Sequence, residues 1–160
     1  MMRKPWREYL IGILLLVVGI SYLSVQVLSL IRGDHSSVKT DDTNIHINRY
    51  AFLNEVRTYI TIICCLAGGW LLMRQHRVGW IICLPMLLLF TTIVGSGVLS
   101  FLHMRIFDFT FYLGVFAALF MLFVLTIHLS LSNKYIVKKN DWFKVILLCL
   151  VLALFYFVLQ

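Results

Sequence analysis

The sequence predicts an all-α, polytopic integral membrane protein, a single domain over residues 1–160 built as a bundle of five transmembrane helices. Three observations predict it. The chain is 61% hydrophobic and only 13% charged, with a mean hydropathy of +0.93, whereas a soluble domain is about 45–50% apolar and about 25% charged. A small globule in water has too much surface to cover with so few polar groups. Apolar runs close to the roughly 20 residues that cross a bilayer recur along the chain, separated by polar segments rich in Lys and Arg. Backbone groups in lipid must be satisfied within the segment, and the runs lack strand-like alternation, so each is read as a helix.

The first run, Tyr9–Ile31, follows MMRKPWRE. A basic start before an apolar core has the form of a secretory signal peptide, and cleavage would leave four spans. The run continues to Ile31 without a small-x-small cleavage site, so an uncleaved span is expected. Gly12, Gly19 and Gln26 recur at a heptad interval and share one side, taken as the inward face. Leu14 is placed nearer the lipid.

Residues 32–55 form the one long polar connection, expected outside the cell. Asp34, His35, Asp41, Asp42 and His46 could each ligate a metal, but their spacing is not a zinc signature and no cysteine joins them. A solvated loop without metal is the expectation. Thr43 or Asn44 could cap an interfacial amphipathic helix with Tyr50, Leu53, Val56 and Ile60 on one face. It would lead into the second span, Val56–Met73.

RQHR, Arg74–Arg77, turns the chain tightly into the third span, Val78–Leu102. Trp70 and Trp80 flank it, and with Trp6 and Trp142 they suggest a belt at one interface. His76 reads as a solvated turn residue. Pro85 frees the Ile81 carbonyl and is expected to bend the third helix. Pro85, Thr92, Ser96, Ser100 and His103 follow helical steps and are read as its inward stripe. The fourth span, Phe109–Leu131, carries Gly114, Ala118, Met121, Leu125 and His128 on one face. The fifth, Trp142–Leu159, carries Cys149, Ala153 and Tyr156, and is short for a span.

Basic residues set the orientation. Arg3, Lys4, Arg7, Arg74, Arg77, Lys134, Lys138, Lys139 and Lys144 fall on one side, and Arg32, Lys39, Arg49, Arg57 and Arg105 on the other. The excess predicts a cytoplasmic N-terminus and an extracytoplasmic C-terminus. The net charge of +7 has no soluble aromatic-interleaved basic patch behind it, so nucleic acid is not expected. The lipid bilayer, with its anionic headgroups, is the expected partner, alongside another membrane protein or a second copy.

Catalytic signals are missing. No HExxH, GxSxG, P-loop or dinucleotide motif occurs, and no Asp, Glu, Lys or Arg sits mid-span, where ion pathways and proton relays keep them. Cys64, Cys65, Cys83 and Cys149 lie in apolar runs with no CxxC and read as packing residues. His103 and His128 fall near opposite faces, too far apart for one haem, so no cofactor is expected. Gln26, Thr92, Ser96 and His128 are the polar candidates for the bundle interior, as packing hydrogen bonds or as a solute path. The reading that follows is a non-enzymatic accessory or scaffold subunit of a membrane complex. A transporter or channel for an uncharged or lipid-like solute is the alternative, and a membrane enzyme using His103 and Asp108 the weaker one.

Overall fold

The structure, a computed structural model, describes residues 6–32, 38–41, 44–47, 49–105, 107–154 and 156, with backbone alone across 38–54. Five helices and one short hairpin succeed one another: α1 (Trp6–Arg32), β1 (Val38–Asp41), β2 (Asn44–Ile47), α2 (Arg49–Met73), α3 (Arg77–Met104), α4 (Phe109–Ser130) and α5 (Lys139–Ala153). Four helices are long and apolar enough to cross a membrane: α1, α2 from Glu55, α3 and α4. α5 is not among them. Its 15 residues rise about 22 Å, and π-type winding takes over at Leu154 and Tyr156. Residues 157–160, the end of the expected fifth span, lie outside the described residues.

The long polar connection departs from expectation. Val38–Asp41 and Asn44–Ile47 pair antiparallel, with Val38 opposite Ile47 and Asp41 opposite Asn44. Asn44 is therefore a strand residue and not a helix cap, while Thr43 lies outside the described residues. Val38, Ile45 and Ile47 are β-branched and suit a ladder better than a helix entrance. The helix expected around Tyr50–Ile60 does form, as the first turns of one continuous α2. Of the metal-ligand candidates, Asp41 and His46 fall on the strands, and Asp34, His35 and Asp42 lie outside the described residues.

The helix ends are built from local chemistry. Gln75 takes a left-handed conformation in the RQHR turn, and His76 caps α3, its Nδ1 accepting from the Val78 amide at 3.3 Å. Arg105, also left-handed, closes α3 by donating its amide to Leu102. Asp108 caps α4 by accepting from the Phe111 amide at 3.0 Å, which satisfies an otherwise orphaned donor.

α3 is the hub, packing on α2, α4 and α5, while α1 packs mainly on α2. In its first half Cys83, Leu84, Pro85, Met86 and Leu87 are buried in succession, which happens only when neighbours enclose a helix on every side. Pro85 sits within an unbroken α3. Beyond Phe90 the same helix is only partly covered or exposed. Pro85, the first residue of the stripe read as inward, is buried, whereas Thr92, Ser96, Ser100 and His103 further along are exposed, so only the start of that stripe is covered. Periodicity groups these residues on one face, and the neighbouring helices cover only its first part. Leu14 is likewise corrected, since it packs against the core.

The other stripes face inward. Gly12 and Gly19 are buried against α2, Ala118 and Leu125 are half-buried on α4, and Cys149 and Ala153 on α5, with Tyr156 just beyond its end, are half-buried as well. What remains exposed is largely Leu, Ile, Val and Phe, with Leu99, Phe109, Phe116 and Leu150 all more than half open.

Candidate functional site

One end of the bundle gathers the start of α1, the α2–α3 turn, and the connection from α4 into α5. These are the basic segments of the sequence, and the fold brings all three together. Arg7 donates to Ser130 Oγ at 3.2 Å. Lys134 reaches two segments at once, pairing with Glu8 and donating to Gln75 Oε1 at 3.4 Å. Arg77 pairs with Asp141, which also accepts from the Lys138 amide at 2.9 Å. Asp141 thereby caps α5 from inside its first turn, where a negative charge suits the helix dipole.

Glu8 and Asp141 are 2% and 6% exposed. A carboxylate this buried is tolerated only with a cation or hydrogen bonds in place. Both acids were missed as sites, although they are the only acidic residues in the otherwise basic segments. That mismatch of sign was the available signal.

Next to the ion pairs lies an aromatic and imidazole cluster. Trp80 and His128 are fully buried, with rings stacked at 5.5 Å between centroids and 10° between planes. Trp142 meets Trp80 edge-on at 5.5 Å. Trp80 Nε1 donates to the His128 carbonyl, and His128 Nε2 donates to the Trp80 carbonyl, each at 3.1 Å. A carbonyl cannot donate, so the proton sits on Nε2 and Nδ1 is a bare acceptor. Nδ1 is buried without a partner, as is the Tyr135 hydroxyl. Burial, followed by the nearby charge of Glu8, pushes the Tyr135 phenol above its ordinary range.

Trp80 is therefore enclosed by the bundle and not open at its end. Its indole N–H is satisfied inside the bundle, which removes the reason for it to seek headgroups. Trp6, Trp70 and Trp142 remain partly open at this end, at 55%, 52% and 40%. Arg7 lies over Trp6 at 5.6 Å and Arg74 over Trp70 at 4.8 Å.

The four interior candidates do not converge. His128 is in the cluster just described. Gln26, half-buried on α1, accepts from Ser29 on its own helix at 3.3 Å. Thr92 and Ser96 are exposed, and their hydroxyls return to the carbonyls of Leu88 and Ile93 at 2.9 and 2.8 Å. Asp108 serves as a helix cap and His103 is exposed. Among the described residues no three His, Cys, Asp or Glu side chains are grouped to hold a metal.

Two shallow grooves flank α3. One, of about 190 Å³, lies against α5 between Pro85, Leu89, Thr92, Cys149 and Leu152. The other, of about 260 Å³, lies against α4 and is lined by Val94, Gly97, Val98, Phe101, Gly114 and Ala117. Compared with protein-family models, curated proteins and solved structures, the chain matches none of them.

Proposed function

We propose that this chain is a multi-pass membrane protein, N-terminus cytoplasmic and C-terminus extracytoplasmic, that acts as a non-enzymatic accessory or scaffold subunit by receiving a helix of another membrane protein. The observation that carries the reading is the outward face of the second half of α3. A Cβ added to Gly95 or Gly97 would meet nothing within 4 Å, and the hydroxyls beside them are already bonded to their own helix. Lipid tails exert no demand for small residues, whereas a second helix does, because small side chains let two backbones approach closely.

Transport lacks a comparable observation, since the residues that would line a path lie on three separate surfaces. The test uses tagged full-length chain in mild detergent. A membrane protein or second copy should co-purify with the native chain and be lost on Gly97→Leu, with thermal stability retained. A chain that purifies alone yet carries solute flux in proteoliposomes would replace this reading with transport.

A further inference from the structure

The basic end has its acids turned inward and its cations turned outward. Glu8 and Asp141 are buried and engaged by Lys134 and Arg77. Arg74, Lys138, Lys139 and Lys144 are exposed, with no carboxylate partner among the described residues. Trp70 and Trp142 stand partly open among them. Indole rings beside cations are the chemistry of a bilayer headgroup layer. Burying the only two described acids of this end also removes the groups that would repel a phosphate.

From this arrangement we infer that the basic end is a docking surface for anionic phospholipid headgroups, held by Arg74, Lys138, Lys139 and Lys144 around the indoles of Trp70 and Trp142. The surface discriminates by charge and is independent of whether the outer half of α3 receives a partner helix. Zwitterionic lipid carries a cation that these residues repel. Attraction of this kind changes affinity about fivefold for each cation near the surface at low salt, and salt screens it.

The experiment purifies the full chain from mixed micelles containing equimolar phosphatidylglycerol and phosphatidylcholine, and measures the headgroups retained. Native chain should retain phosphatidylglycerol in several-fold excess, and about 0.5 M salt should remove that excess. Combined Lys138→Gln, Lys139→Gln and Lys144→Gln should bring retention close to equimolar, while Arg32→Gln at the opposite end should leave the excess intact. Arg74→Gln alone should lower it measurably should the triple variant fail to purify folded. Equal retention by native chain, or an undiminished excess in the variants, would overturn the inference. So would displacement of the lipid by equimolar inorganic phosphate or by a polyglutamate peptide, which would make a free phosphate or an acidic protein the true ligand.

Discussion

A Cβ built on Gly69 would lie 2.8 Å from the carbonyl oxygen of Gly12, and one built on Gly12 would lie 2.9 Å from that of Gly69. α1 and α2 thus cross backbone to backbone, and neither side can yield by turning a side chain. Gly69→Leu should separate the two helices and cost about 1–3 kcal/mol, as overpacking of a closed contact does. Gly97→Leu, in open space, should leave the melting temperature in detergent unchanged. Equal losses for the two variants would remove the crossing as a determinant of the fold.

The Trp80–His128 pair gives a second ordering. Trp80→Ala removes a fully buried indole and should cost about 3–5 kcal/mol. His128→Leu should cost less, because it also removes Nδ1, a buried acceptor without a partner. A double-mutant cycle between Trp80→Phe and His128→Leu should show coupling of about 0.5–3 kcal/mol. Additive behaviour in that cycle would mean that the reciprocal hydrogen bonds do not act together.

These two contacts mark where sequence reasoning reached and where it stopped. Helices in such a chain are legible from the length and apolarity of its runs, and α3 and α4 begin within a residue of the expected positions. Gly12 and Gly19 were legible as a close contact because few other reasons place glycine at that interval in a helix. Which side of α3 is covered was not legible. Heptad spacing groups Thr92, Ser96 and Ser100 on one face, yet only the length and position of α5 decide what covers it. The burial of Trp80 was not legible for a related reason: the carbonyl that satisfies its N–H belongs to His128, 48 positions away. The Lys134–Glu8 pair spans 126 positions and has no local signature beyond one acid in a basic segment.

That pair also makes an asymmetric prediction. The Glu8 side chain is 3% exposed and the Lys134 side chain 42%. Lys134→Met leaves a buried carboxylate without its cation and should cost about 3 kcal/mol. Glu8→Gln leaves an ammonium that can turn to water, so its cost should be about 1 kcal/mol after allowance for solvent screening. Chemical unfolding of both variants in detergent measures the order. A larger loss for Glu8→Gln would mean that Lys134, not Glu8, is the group held away from water.

Orientation is the remaining prediction, and it rests on how the ends are paired. The N-terminal turn of α1, the RQHR turn and the α4–α5 connection meet at one end of the bundle through Lys134, Glu8 and Gln75. They must therefore share one side of any membrane the bundle crosses, and their excess of Arg and Lys favours the cytoplasmic side. Reporter fusions after Met73 and Leu131 should behave as cytoplasmic, and fusions after Ile31 and Leu102 as external. α5 decides the rest. It starts at this end and runs toward Thr61 on α2, where Tyr156 bonds the Thr61 hydroxyl. Its regular part covers about 22 Å of a hydrocarbon layer about 30 Å thick, and local thinning would close such a gap at modest cost. Gln160→Cys, in a background without Cys64, Cys65, Cys83 and Cys149, should therefore react with a membrane-impermeant maleimide in intact cells. Reaction only after permeabilisation would place the end of α5 on the cytoplasmic side and reduce the crossings to the four long helices.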